Sequence, residues 1–458
     1  MVFSSLLFMF KFLPIAFLIY YFVPFKYKNL TILILSLLFY SWGEPKYILI
    51  MFASIFVDFF ISKGIECNRD KKNVTKLLLL TSVCFNLGML MFFKYTNFFI
   101  ENLNHLTGTT LAYLKLTLPL GISFYTFQTM SYTIDVYLGK VRAEKNLINF
   151  GAFVCLFPQL IAGPIVKYSD ISEELQHRKI SLPQIDDGVR LFIMGLASKV
   201  LIANSIGALW DSVLEIGFIN ISTPLAYMGL LAFALQIYFD FSGYSLMAIG
   251  LGKMLGFNFP QNFNYPYISK SVTEFWRRWH MTLGSWFREY VYIPLGGNRC
   301  TPLRTYFNLF VVWFLTGFWH GASWNFILWG LYFLVLLVIE KKFLLKYLQQ
   351  SKVLSHVYLI LAIFFSWGLF ALTDFTSMAQ MFNKLFIFKG GNDYLFYLRN
   401  YGVTFLIAFF FSTPVLKNWY EKNKERKGLI TMGLAILLLI SVAYLVDASY
   451  NPFLYFRF

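Results

Sequence analysis

Apolar runs close to twenty residues long recur from one end of the chain to the other. Wound as a helix, such a run matches the hydrocarbon core of a bilayer, about 30 Å thick. Within lipid every backbone polar group must be satisfied inside the element that carries it, which leaves helices or closed barrels. Runs of that length recurring from end to end read as membrane-crossing helices, so the fold class is all-α, a polytopic integral membrane protein. Spans are expected near 4–24, 29–43, 45–62, 77–94, 116–138, 147–165, 191–211, 224–250, 306–319, 323–339, 355–374, 401–416 and 429–446, about a dozen crossings, with a more polar stretch at 252–305. Only 14% of the residues are charged, against about 25% in a soluble domain. No stretch reads as a separate soluble domain, so 1–458 is taken as a single transmembrane domain. The first segment lacks a strongly basic start and a small-residue cleavage site, and reads as a retained span.

The formal net charge is +16. In a membrane protein this reads as basic loops held on the cytoplasmic side, not as a nucleic-acid surface. Lys63, Arg69, Lys71, Lys72 and Lys76 share one loop, and Lys140, Arg142 and Lys145 a second. Lys341, Lys342, Lys346 and Lys352 form a third, and Lys417, Lys422, Lys424, Arg426 and Lys427 a fourth. All four are placed in the cytoplasm, and two spans separate the members of each consecutive pair within each half. The connection 166–225 mixes both signs and reads as a surface helix and loop. The last span then leaves the cytoplasm, which puts the tail "NPFLYFRF" (451–458) on the outer face. The four cysteines are scattered without a CxxC, so neither a disulfide framework nor a metal site is expected.

Two stretches carry candidate chemistry. In "VTEFWRRWHMTLGSWFREYVYIPLGGNR" (272–299), a helical wheel gathers Phe275, Trp276, Trp279, Leu283, Trp286, Phe287 and Tyr290 on one side. Arg277, Arg278, Thr282, Ser285, Arg288 and Glu289 fall on the other, as in an amphipathic interfacial helix. His280 lies at the edge of the apolar arc, where an imidazole needs a partner. The stretch 306–339 would be about 50 Å long as one helix, so it must break, and Gly317, Gly321 and Ser323 mark the place. With basic residues at both flanks it reads as a hairpin whose apex, "GFWHGAS", sits within the membrane or towards its outer side. An ionisable residue at that depth is a functional candidate by default, which singles out His320. Asp135, Asp240, Ser242, Tyr244, Gln128 and Gln159 also fall inside apparent spans. They either hydrogen-bond between helices or line a polar tunnel.

"EFWRRWHMTLGSWFREYVYIPLGG" together with "GFWHGASWNFILWGLYF" resembles the membrane-bound O-acyltransferases, in particular the bacterial branch that acylates cell-envelope polymers. "LPLGISFYTFQTMSYTIDVY", "FPQLIAGPI" and "QIYFDFSGYSLMAIGLGKMLGFNFPQNFNYPY" are similar to the same branch. The resemblance runs from near 35 to 340 and includes the extreme C-terminus. It implies a ring of helices around a thinned membrane centre, with 272–339 as the catalytic region. A tunnel would join a cytoplasmic thioester-binding face to an outer funnel. The family's invariant histidine falls on His320 and its second on His280. Trp319, Asn325, Arg288, Asp240 and Gln128 become candidate tunnel residues. No bound cofactor or metal is implied. The donor would be acetyl-CoA, and the partners an extracytoplasmic SGNH or serine esterase-like acetyltransferase, a polysaccharide acceptor and membrane lipids, at the bacterial cytoplasmic membrane.

Some members of the branch use a C-terminal aromatic motif whose tyrosine carries the acyl group, and within 447–458 the resemblance maps that role onto Tyr455. The chemistry is feasible. Full deprotonation of a phenol near pKa 10 by an imidazole near 6.5 is uphill by roughly 5 kcal/mol. Proton removal concerted with attack on a thioester avoids most of that. The acceptor is expected to be peptidoglycan first and alginate next, because the chain ends without an appended outer domain. D-Alanyl transfer to teichoic acid and a non-enzymatic transporter are the competing readings. The first would place the tyrosine on a separate peptide, and the second would need paired broken helices in matching halves, whereas one broken pair is visible.

Overall fold

The computed structural model describes residues 2–423, 427–447 and Leu454. Tyr455 lies outside the described residues. All regular elements among the described residues are helical. The chain forms two compact units, Met1–Phe192 with Met247–Pro260, and Ile193–Leu246 with Gln261–Phe458.

The first unit holds α1 (Leu13–Phe22), α2 (Phe25–Ser41), α3 (Ile48–Cys67), α4 (Lys72–Thr107), α5 (Ile122–Tyr137), α6 (Leu147–Cys155), α7 (Phe157–Leu160), α8 (Tyr168–His177) and the start of α9 (Leu182–Ala197). Helix α4 has 36 residues, about 54 Å at 1.5 Å per residue, and little of its apolar window is buried. It outruns the hydrocarbon core, and its apolar side chains face lipid. Helix α5, in contrast, is buried along nearly its whole length. A polar knot joins it to its neighbours. Asp58 of α3 accepts from Ser82 and, at 2.7 Å, from Asn86 of α4, and from Thr133 of α5 at 3.1 Å. Three neutral donors satisfy a carboxylate that is fully removed from solvent.

The expected span 147–165 is not a crossing. Its helix stops at Cys155, ahead of Pro158, and α6 at nine residues is about 13 Å long. The chain then returns to the level it left. Asn29 Nδ2 donates both to Asn149 Oδ1 at the start of α6 and to the carbonyl of Leu175 in α8, each at 2.8 Å. Tyr168 donates its hydroxyl to Glu144, ahead of α6, at 2.6 Å. The segment is re-entrant, and α8 lies at the same face as the basic loop 140–145. Irregular backbone survives there because residues 156–166 are buried in protein.

The second unit contains the end of α9, a π-helical turn (Ser198–Asn204), α10 (Ser205–Ile216), most of α11 (Thr223–Met254), α12 (Val272–Trp276), α13 (Met281–Phe287), α14 (Pro302–His320), α15 (Trp324–Ile339), α16 (Leu345–Leu348), α17 (Lys352–Ala371), α18 (Phe375–Phe386), α19 (Asp393–Phe411), α20 (Val415–Lys422) and α21 (Lys427–Asp447). Among the described residues, seven helices are long and apolar enough to cross a membrane alone: α3, α4, the continuous 182–216, α11, α17, α19 and α21. Shorter helices fill the remaining apolar segments.

The expected break in 306–339 is present, with α14 ending at His320 and α15 starting at Trp324. Gly321 and Ser323 lie in the break, while Gly317 is inside α14 and has a different role. A Cβ on Gly317 would fall 2.3 Å from the carbonyl oxygen of Phe326, and one on Gly330 would fall 2.3 Å from that of Trp313. The hairpin closes backbone on backbone, as small residues permit between helices in lipid.

Candidate active site

The stretch 272–299 does not form the continuous amphipathic helix expected from its wheel. It comprises α12, a break at 277–280, α13 and a π-helical turn from Arg288 to Tyr292. The cause is backbone pairing with the earlier segment 262–264. Asn264 N donates to the carbonyl of Arg278, and Met281 N to that of Asn262, both at 2.9 Å. His280 sits at the bend with φ 44°, and Tyr265, on the pairing segment, has φ 47°. The left-handed conformation costs an ordinary residue about 1–2 kcal/mol and persists where surroundings impose it. Glu340 fixes the start of α12, accepting from Val272 N at 2.6 Å and from Thr273 N at 2.9 Å. These are unpaired donors of a helix N-terminus, and a carboxylate there also suits the helix dipole.

His280 is 1% exposed. Its Nδ1 lies 3.0 Å from Asn262 Oδ1, while Asn262 Nδ2 donates to Ser245 Oγ at 3.0 Å. The network therefore assigns the proton to Nδ1 and leaves Nε2 a bare lone pair. Nε2 has no hydrogen-bond partner among the described residues. His280 lies between the spans, on the polar connection, and burial pushes its imidazole down to about 3. It is neutral at physiological pH, with one nitrogen held and the other open. Asn262→Leu removes the acceptor shared by His280 Nδ1 and Thr282 Oγ1 (2.9 Å) and leaves Ser245 without its donor. We expect a loss of about 2–4 kcal/mol in stability and a fall in turnover, both restored towards wild type by Asn262→Asp, which keeps the acceptor. Thermal unfolding and turnover of the purified variants check this, and an Asn262→Leu protein as stable and active as wild type would refute it.

His320 is the last residue of α14 and is 8% exposed. Aromatic rings surround it: Trp319 at 5.0 Å, Trp329 at 4.9 Å and Phe370 at 5.3 Å between centroids. Trp319 also lies 6.1 Å from the ring of His280, so one indole neighbours both imidazoles. Asn325 is fully buried and donates Nδ2 to the carbonyls of Leu369 and Phe370, both at 3.2 Å. It caps the last turn of α17 and so fixes Phe370 against His320. The structure thus gathers His280, Trp319, His320 and Asn325 in the second unit. Arg288 begins the π-helical turn with its side chain exposed. Gln128 belongs to α5 of the first unit, is fully buried, and has neither side-chain atom paired among the described residues. Asp240, in the middle of α11, pairs with Lys199 at 2.9 Å.

Sequence reasoning missed Asn262, Glu340 and Lys199. Lys199 carried a signal: it is a lysine inside an apolar run, with an aspartate in the next run to balance it.

Two buried imidazoles touch one indole beside a broken helix hairpin in a multi-pass helical protein, and one of them, His280, keeps an open lone pair at Nε2. The profile of the membrane-bound O-acyltransferase family matches residues 75–382, and the chain belongs to that family. It is 37% identical to a probable alginate O-acetylase of Pseudomonas putida over the full length of both chains. It is 37% identical to a peptidoglycan O-acetyltransferase of Helicobacter pylori, over 72% of this chain and 68% of that one. A teichoic acid D-alanyltransferase of Streptococcus thermophilus is 30% identical over 50% of this chain and 58% of its own. The protein is an O-acyltransferase, which sets aside the transporter reading.

Proposed function

We propose that the protein takes an acetyl group from cytoplasmic acetyl-CoA and moves it across the bacterial cytoplasmic membrane for O-acetylation of a cell-envelope polysaccharide. The carrying observation is His320, a buried imidazole at the apex of a hairpin whose two flanks are basic. CoA is large and charged and stays in the cytoplasm, while its thioester end reaches the membrane interior. Trp319, Trp329 and Phe370 exclude water from the imidazole, which keeps the thioester from hydrolysis. His320 takes the phenol proton of Tyr455 as that oxygen attacks the thioester carbonyl, and CoA leaves as the thiol. His280, neutral and open at Nε2, serves beside Trp319 as a hydrogen-bond acceptor in the same site. Arg288 serves the path of the acyl donor.

The resulting aryl acetate is an activated ester, because phenoxide leaves more readily than an alkoxide. An extracytoplasmic SGNH or serine esterase-like enzyme takes the acetyl group from it and passes it to the polymer. Peptidoglycan is put first and alginate next as acceptor, and relatives named for each are both 37% identical to the chain. The tyrosine is in cis, which favours acetyl transfer over D-alanyl transfer. Incubation of the purified protein with acetyl-labelled acetyl-CoA, followed by peptide mapping, tests the reading. Label is expected on Tyr455 and is expected to vanish in Tyr455→Phe. Polymer acetylation undiminished in Tyr455→Phe would rule out the acyl-tyrosine step. Supplying each polymer with its outer-face enzyme identifies the acceptor.

A further inference from the structure

Leu454, the residue before Tyr455 in the chain, is far from a loose end. It is 4% exposed and belongs to the apolar cluster of the second unit, with Tyr238, Phe239, Trp279 and Phe370. Its backbone N–H donates to Asp240 Oδ2 at 2.8 Å. Asp240 is 3% exposed, and its Oδ1 faces Lys199 Nζ at 2.9 Å. Lys199 is 1% exposed and also donates to Asn204 Oδ1 at 2.6 Å. The π-helical turn Ser198–Asn204 carries both Lys199 and Asn204. Such widened turns recur at functional sites because they re-aim side chains. The turn packs directly on α11: a Cβ on Gly243 would sit 2.7 Å from the carbonyl oxygen of Gly195 and 3.1 Å from Lys199 N. The last helix ends on the outer side by the charge rule. Leu454 follows the end of that helix by seven residues and lies against the middle of α11.

We infer that the Lys199–Asp240 pair is the dock of the C-terminal tail, and that Lys199 and Asp240 are positioning residues that set the register of the tail through the N–H of Leu454. A buried N–H without an acceptor is costly. An apolar tail could slide along an apolar funnel with little change in energy, whereas a charge-assisted hydrogen bond to one carboxylate oxygen selects a single register. The ammonium holds the carboxylate in place and balances its charge in an apolar setting. The functional consequence, presentation of Tyr455, rests on the acyl-tyrosine reading; the docking itself does not.

The test reads tail release and labelling separately, on the full chain in lipid nanodiscs. Lys199→Met combined with Asp240→Leu removes both charges and leaves neither stranded. Exchanges of that kind are close to neutral for folding. Leu454→Pro removes the donor together with the buried leucine side chain, and Leu454→Ala, which keeps the N–H, is the control for the side chain. Carboxypeptidase Y is expected to trim the tail about tenfold faster in both variants than in wild type, the fold-change for losing one charge-assisted hydrogen bond. Tyr455→Phe is expected to be trimmed at the wild-type rate. Acetyl label on Tyr455 is expected to fall at least about tenfold in the double variant while its unfolding temperature stays near wild type. Trimming at the wild-type rate in both variants overturns the inference, and so does faster trimming with undiminished label. If wild type itself never carries label, the acyl-tyrosine reading fails alone, and the trimming rates decide the dock.

Discussion

His320→Asn is expected to lower acyl transfer by about 10²–10⁴-fold, the usual contribution of a positioned general base, while the protein folds and inserts as wild type does. Asparagine keeps the polarity and most of the contact with Trp319, Trp329 and Phe370 but cannot take a proton at neutral pH. The loss should appear in the turnover rate and leave the apparent affinity for the acyl donor near wild type, because the imidazole acts in the transition state. His280→Asn is expected to have a smaller effect on turnover and a larger one on stability. His280 is held by Asn262 at a strained bend, so its replacement disturbs the pairing between 262–264 and 278–282. Single-turnover rates and unfolding temperatures of the two variants separate the roles. A His320→Asn enzyme within tenfold of wild type would remove His320 as the base.

The second large effect is structural. Gly330→Ala is expected to cost about 3 kcal/mol or more and to abolish activity, because the new methyl group would fall 2.3 Å from the carbonyl oxygen of Trp313. The clash is with backbone, so no rotamer change relieves it; the two helices must part. Parting them displaces Trp329, one residue earlier, whose ring lies against His320. Gly433→Ala is the control. It is in helix α21 with nothing within 4 Å of the new Cβ, and it is expected to be neutral or stabilising by up to about 1 kcal/mol. Thermal unfolding followed by size-exclusion fluorescence measures both. Equal behaviour of the two variants would show that the close approach of α14 and α15 does not govern the site.

The hairpin was legible because it rests on arithmetic: 34 residues are too many for one span, and the small residues show where the chain turns. The place of His320 at that turn was legible for the same reason. The bend at His280 was not. A helical wheel records side-chain periodicity alone, and nothing in 272–299 announces that Asn262 and Asn264 will take over its backbone bonds. The re-entrant segment escaped notice because 147–165 is as apolar as a true span; only Pro158 and the cluster of small residues after it hinted otherwise. The amphipathic helix α18 lies between two expected spans, where a search for long apolar runs does not look for a helix. Lys199 and Asp240 show a more general loss. Each was visible as a polar residue in an apolar run, but their partnership depends on the π-helical turn, which no propensity predicts.

The knot around Asp58 has a consequence for how the protein is made. The carboxylate is synthesised 24 residues before Ser82 and 75 before Thr133. At about 5–20 residues per second, Asp58 waits roughly 1–5 s for its first donor and roughly 4–15 s for its last. A charged residue at the centre of a span costs about 2.5–3.5 kcal/mol on insertion. Helix α3 therefore has reason to linger in the insertion machinery until α4 and α5 arrive. The three helices would then be released into lipid as one body, with the nascent chain itself setting the order of assembly.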